Sequence, residues 1–265
     1  MQSDHTNINV SGVSVMQDNI IESKTIHPNV NYLWFLTLAY TMAIVFANWF
    51  DPRLITIAGL NTDAGTLIFP FTFLLADLIT EVYGYKYARR AIWCGFLFNA
   101  IFIIYGQIVI HMPSPNYPTN NELFDKILTI NCRIILASGI SYIIAEPANS
   151  YLMAKLKIKF YGRLLAVRFL SSTVIASGID SLIFGVIAFY GVIDNKNLLD
   201  LIVTMWLIKV AIELCGLPIA IKLAKNLKQV EQLDIYDRKT NFNVFKLDTN
   251  YTTTDNEYRV RVEWH

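Results

Sequence analysis

The sequence predicts an all-α membrane protein with six transmembrane helices, and three observations predict it. Of its 265 residues, 54% are hydrophobic and only 16% charged, against about 25% charged in an ordinary soluble domain; the mean hydropathy is +0.40. Six apolar segments, at about 31–50, 66–84, 91–111, 133–154, 165–191 and 199–221, are each near or above the ~20 residues that cross a bilayer as a helix. The basic residues then alternate with them. Lys86, Arg89 and Arg90 follow the second segment, Lys155, Lys157, Lys159 and Arg163 the fourth, and Lys222, Lys225 and Lys228 the sixth. The opposite loops hold Arg53, Lys126, Lys196 and Arg133, diluted by acids. By the positive-inside rule both termini are cytoplasmic.

The expected organisation is a polar cytoplasmic segment at 1–29, a six-helix transmembrane domain at 30–225 and a polar cytoplasmic tail at 226–265. Residues 1–29 lack a basic stretch followed by an apolar one, so no cleavable signal peptide is expected. A net charge of +1 gives no sign of a nucleic-acid partner. Cys94, Cys132 and Cys215 lie in or beside apolar runs without a CxxC pair, which fits packing rather than a disulfide framework or a metal site.

Taken in order, the first segment carries Ala39, Ala43 and Ala47 at four-residue spacing. Small residues let helices approach closely in lipid, here either within the bundle or against a second membrane subunit. The second is "FPFTFLLADLITEVYGYKYARR", 69–90, with Asp77 and Glu81 on one helix face. From the helix rise, Glu81 lies roughly 8 Å and Asp77 roughly 14 Å above Lys86. Asp77 is thus near mid-membrane. A carboxylate there costs a few kcal/mol, faces the bundle interior and marks a pathway or site. For Glu81, nearer the inner surface, the alternative is a salt bridge with Arg89, Arg90 or Arg168.

The third segment offers Asn99 and Gln107, and the loop 112–130 reads as irregular. In the fourth, Glu146 precedes Pro147, with Asn149 close behind. A proline beside a buried carboxylate kinks the helix and marks a cavity. The fifth has Arg168 at its inner end and Thr173, Ser177 and Asp180 on one face. "LASGIS" at 136–141 and "IASGID" at 175–180 echo each other as packing seams. The sixth carries Lys209 and Glu213, spaced to pair locally, and then Pro218. In the tail, "EYRVRVEW" alternates as a strand would, and "NFNVFKL" upstream could complete a β-hairpin.

Within the bundle, Asp77, Glu81, Glu146, Asp180 and Glu213 outnumber Arg168 and Lys209. Such a cavity suits a ligand with several N–H donors or a positive charge and rejects phosphates and carboxylates. The chain has no GxxxxGK[ST] phosphate loop and no HExxH. "SGID" at 177–180 lacks the second glycine expected of an intramembrane aspartyl protease, so no enzyme is expected.

The stretch at 69–90 closely resembles the signature of the queuosine precursor transporter family, the vitamin-uptake-like integral membrane family: FP-x-T-x₄-D-x-x-TEVYG followed by basic residues. "ASGISY", "RFLSS" with Asp180, and "KVAIELCGLP" match in order, over about 31–225. The tail's "DIYDRKTNF" is similar to some members. The resemblance implies a fold similar to the substrate-binding subunit of energy-coupling-factor vitamin transporters, in the bacterial cytoplasmic (inner) membrane. It implies uptake of 7-cyano-7-deazaguanine, 7-aminomethyl-7-deazaguanine or queuine for tRNA queuosine salvage, without a cofactor. Asp77, Glu146, Asn149, Asp180, Glu81 and Glu213 are then the expected substrate-binding residues, with Arg168, Lys209 and Pro147 structural or gating, and Trp93 or Trp206 available for ring stacking. Many members have Gln then Asp where this chain has Glu146 and Asn149. The alternative is a binding subunit for another vitamin or small nitrogenous cation that needs an energising membrane partner.

Overall fold

Helix ends are set by local chemistry throughout the computed structural model, which describes residues 25–26, 30–129 and 132–258. After a two-residue strand β1 (Thr25–Ile26), helix α1 (Leu33–Phe50) runs to Asp51-Pro52, where the residue before proline disfavours further helix. Strands β2 (Leu54–Ile57) and β3 (Leu60–Asp63) form an antiparallel hairpin. Its turn residues Ala58 and Gly59 both have positive φ, 50° and 83°, as the two-residue primed turns require. A 3₁₀ turn (Gly65–Leu67) leads into α2 (Pro70–Tyr83), which starts on a proline, the preferred first helical residue.

Gly84 separates α2 from α3 (Tyr85–Ile110). Its φ of +88° is open to glycine alone, and a Cβ there would meet the Tyr251 hydroxyl at 2.4 Å. The short α4 (Asn121–Thr129) follows, then α5 (Cys132–Lys159) and α6 (Leu165–Phe189). The last helix is α7 (Asn195–Glu231), capped by Asp194, which accepts from the Asn197 N–H at 3.1 Å. The tail then crosses the helix ends and contributes β4 (Tyr251–Thr252), paired with β1.

Among the described residues, four helical segments are long and apolar enough to cross a membrane: Leu33–Phe50, Gly65–Tyr83, Tyr85–Ile110 and Leu165–Phe189. The longer α5 and α7 also run the length of the bundle, but Glu146, and Lys209 with Glu213, interrupt their apolar surface. Helix α2 is the central one, buried from Pro70 to Tyr83 but for Phe71 and Leu75. The outward faces of α1 and α3 present Trp34, Phe35, Leu38, Phe46, Leu97, Phe98 and Ile104. The charges are inside: Asp77, Glu81, Glu146, Arg168 and Glu213 are all fully buried. That inside-out distribution suits hydrocarbon as solvent and not water.

Ala43 and Ala47 are buried, and a Cβ on Gly65 would stand 2.5 Å from the Ala47 carbonyl. Ala43 and Ala47 of the alanine stripe therefore line an internal seam, while Ala39 is partly exposed. Ala137, Ser138 and Ser141 on α5 and Ala176 and Ser177 on α6 are likewise turned inward.

The tail differs from the hairpin that its sequence suggests. Residues 241–247 form no strand, and most of "EYRVRVEW" lies outside the described residues. Instead, the backbone carbonyls of Asn241 and Asn243 accept from Arg89, at 3.0 and 2.6 Å, and that of Val244 accepts from Trp93 Nε1 at 2.7 Å. Asp237 accepts from the Tyr85 N–H and the Tyr251 hydroxyl, at 2.9 and 2.6 Å. Leu233, Ile235 and Tyr251 pack into an apolar cluster with Ile79, Val82, Tyr83 and Ala88. Half of the 69–90 signature is thus the ground on which the tail sits.

Candidate functional site

Four helices bring the polar side chains together: α2, α5, α6 and α7. On α2, Asp77 accepts from Asn149 Nδ2 at 2.7 Å and from the Ser172 hydroxyl at 3.2 Å. One and a half turns earlier, the Thr72 hydroxyl reaches Glu146 Oε1 at 2.5 Å. Glu213 arrives from α7, close enough that its charge acts on both Asp77 and Glu146. Among the described residues, these three carboxylates have no cationic partner within salt-bridge distance.

Three cations are committed elsewhere. Arg168 grips Glu81 with both guanidinium nitrogens, at 2.5 and 3.0 Å, and Lys228 adds a second ion pair at 2.5 Å. Both Glu81 oxygens are thereby occupied, by Arg168 rather than Arg89 or Arg90. Lys209 does not make the expected local pair with Glu213. It turns to Asp180 Oδ2 at 2.6 Å, with the Phe69 ring 4.8 Å from its ammonium. A carboxylate on a facing helix plus an aromatic face holds it better than a neighbour along its own helix.

What remains is a set of buried atoms without hydrogen-bond partners: Glu146 Oε2, Asn149 Oδ1, Asp180 Oδ1 and both oxygens of Glu213. The hydroxyls of Ser150, Thr173, Ser177 and Ser181 surround them, also unpartnered. Native interiors satisfy nearly all such groups, and each orphan costs about 1–3 kcal/mol. Gathering them on α5, α6 and α7 within about two helical turns is therefore a site signature. The acceptors dominate, so the cluster is built for a ligand that brings N–H donors.

At the hairpin end of the cluster, a cavity of about 10 Å³ is bounded by Asp51, Asp63, Ser138, Asp180 and Lys209. That holds about one water. A ligand the size of a purine base therefore requires the helices to separate. Larger hollows of about 650 and 750 Å³ run between α1 and α3. Their linings are mainly apolar and include none of the buried carboxylates, so they suit hydrocarbon.

The sequence reading named Asp77, Glu146, Asn149, Asp180 and Glu213, and the structure brings these together. Glu81, Arg168 and Lys228 form a separate layer about one turn toward the tail. Pro147 lies in α5 directly after Glu146. Neither tryptophan reaches the cluster: Trp93 bonds the tail, and Trp206 donates to the Val174 carbonyl at 3.0 Å. Thr72 and Ser172 were not anticipated as site residues, although both stand in the quoted motifs. Lys157 was read only as a topology marker. It is buried, donates to the carbonyls of Glu81 and Ile235 at 2.5 and 2.7 Å, and pairs with Asp234 at 2.7 Å.

Asp234 lies beyond the helices, and its ionisation is predictable. Burial alone would raise its carboxyl, but Lys157 and Lys228 outweigh burial and hold it below the usual carboxylate range, against opposition from Glu81. A carboxylate depressed in the folded state stabilises it above the unfolded value, near ~3.9, and loses that contribution as pH falls through the folded value. Acidification below about pH 4 is therefore expected to loosen the tail, read as faster pepsin cleavage within 232–258. Asp234→Asn should loosen it at neutral pH already, read there as faster trypsin cleavage after Arg238, Lys239 and Lys246. Cleavage rates that are equal in the two proteins would show that these ion pairs do not hold the tail.

Comparison with known proteins agrees with this architecture. Residues 63–223 match the family described as "Putative vitamin uptake transporter". A Bacillus subtilis (strain 168) protein named "Probable queuosine precursor transporter" is 27% identical over 193 residues, covering 72% of this chain and 83% of that one. An Escherichia coli (strain K12) protein named "Queuosine precursor transporter" is 27% identical over 161 residues, covering 60% and 69%. No solved structure matches the chain significantly. The apolar helices and these relatives make it a multi-pass membrane protein and a transporter, not an enzyme. With 63–223 spanning well over half of its length, the chain belongs to the vitamin uptake transporter family.

Proposed function

We propose that this chain imports a queuosine precursor, one of 7-cyano-7-deazaguanine, 7-aminomethyl-7-deazaguanine and queuine, across a bacterial inner membrane. The observation that carries the reading is the cluster of Asp77, Glu146 and Glu213, which among the described residues has no cation and leaves oxygens of Glu146 and Glu213 unpartnered. The names of the two relatives support the same substrate class. A deazaguanine edge presents an N1–H and a 2-amino group, two donors that one carboxylate accepts side by side. An aminomethyl group adds a cation, which a second carboxylate meets. Asp77, Glu146, Asn149, Asp180 and Glu213 are the proposed binding residues. Glu81, Arg168 and Lys209 hold the helices around them. In this reading six helices, α1–α3 and α5–α7, span the membrane and both termini face the cytoplasm, since the basic clusters gather at the tail end.

The test is rescue of tRNA queuosine in a bacterium that neither makes nor imports deazaguanine precursors. Each precursor is supplied separately at low concentration, and modified tRNA is read on a boronate gel. Rescue by one compound names the substrate. Absence of rescue by all three, with the protein in the membrane and each precursor usable at high dose, sinks the reading. A partner-dependent binding subunit is the second reading. It is opposed by the burial of Ala43 and Ala47, and uptake into liposomes holding this chain alone would exclude it.

A further inference from the structure

Between the carboxylate cluster and the tail end, the bundle is closed in three layers. Leu74, Leu78, Met153, Phe169, Ala220 and Ala224 form an apolar plug. Next comes the ion layer of Glu81, Arg168, Lys157 and Lys228, and then the tail. One tail atom joins the two lysines: Asp234 Oδ1 lies 2.7 Å from both Lys157 Nζ and Lys228 Nζ. This tail residue thus staples the tail-side half of α5 to the tail-side half of α7, alongside Glu81 of α2, which Lys157 reaches at its carbonyl and Lys228 at its carboxylate.

Those two helices share another feature. Each carries an interior proline at or just below the carboxylate level: Pro147 directly after Glu146, and Pro218 five residues after Glu213. A proline removes one helical hydrogen bond and is where helices bend. The tail itself is held on the far side by α3, through Arg89 and Trp93. It reaches across to α5, where Phe242 sits between Tyr85 and Tyr151, with ring centroids 4.9 and 5.0 Å away.

We propose that the tail, residues 232–258, is the latch of an inward gate. Asp234 holds Lys157 and Lys228 together, and its release lets the lower halves of α5 and α7 hinge at Pro147 and Pro218, opening a path from Asp77, Glu146 and Glu213. The proposal rests on the transport reading for its consequence and on the tail contacts for its mechanism. The ion layer suits this task because its charges lie at the bundle end. Lys228 is already 14% exposed, so it regains water when released, whereas the Lys209–Asp180 pair lies deep in the bundle.

The test ties the latch shut. In a variant whose native cysteines are replaced, Tyr151→Cys and Phe242→Cys are bridged by a reducible bifunctional thiosulfonate; Tyr151 is 41% exposed and open to the reagent. Uptake of each of the three radiolabelled precursors named above is measured in proteoliposomes, bridged, unbridged and after reduction. Bridging should lower uptake at least tenfold, with full return on reduction. Unchanged uptake in the bridged protein overturns the latch, since a tail that only stabilises the fold tolerates being tied. If the unbridged protein takes up none of the three, the transport reading has failed, and hydrogen–deuterium exchange decides the latch alone. Exchange in 219–231 should slow at least tenfold on bridging and quicken in Asp234→Asn; equal rates overturn the proposal.

Discussion

An Arg168→Ala variant is expected to lose about 3–5 kcal/mol of stability, the cost of removing one partner from a buried ion pair. Both side chains are fully buried, and the contact is bidentate. The loss extends beyond Glu81, because Arg168 also donates to the carbonyls of Arg163 and Gly162, at 3.0 and 3.2 Å, and so closes the turn between α5 and α6. Lys228 remains on Glu81 and softens the effect. Arg168→Lys keeps the charge but not the two-pronged geometry, so its loss should be smaller. Removing both partners, Arg168→Met with Glu81→Gln, should cost less than the sum of the single changes, because no lone charge is then left in the interior. Thermal unfolding in detergent, followed by size exclusion, checks all three. A wild-type melting temperature for Arg168→Ala would show that Glu81 does not depend on it.

The sequence was most legible where one physical rule dominated. Apolar segment lengths predicted where the long helices run, and the rarity of intramembrane acids singled out Asp77, Glu146, Asp180 and Glu213 before any of them could be seen to meet. Partner choice was less legible. Lys209 and Glu213 satisfy the i,i+4 rule, yet Asp180 on another helix wins Lys209, and helix–helix register is not written in one helix's spacing. The tail was least legible. Its residues alternate like a strand near the end, but its middle is held by side chains of α3 that donate to its carbonyls, an arrangement without periodicity. Lys157 shows why counting charges for topology hides structure: the count groups it with the other basic residues at the tail end of the bundle but is silent on its burial beside Asp234.

Glu213 divides site from scaffold most sharply. Glu213→Gln preserves shape and replaces the carboxyl of a buried side chain that has no ion-pair partner among the described residues. A buried carboxyl without an ion pair has no salt bridge to lose, so the melting temperature should stay level or rise. Uptake should nevertheless fall about tenfold to a hundredfold, the equivalent of one hydrogen bond to a charged group at about 1.5–3 kcal/mol. Lys209→Met is the contrasting change. It strips Asp180 of its ion pair, whose nitrogen and oxygen lie 2.6 Å apart, and leaves a buried carboxylate uncompensated, so stability should fall first and uptake with it. If Glu213→Gln instead lowers stability and uptake together, Glu213 belongs to the scaffold, and the ligand must be held by Asp77 and Glu146 alone. If uptake is lost for the aminomethyl compound but kept for the cyano one, Glu213 meets the cation, and the base edge is read across the bundle by Asp77 or Glu146.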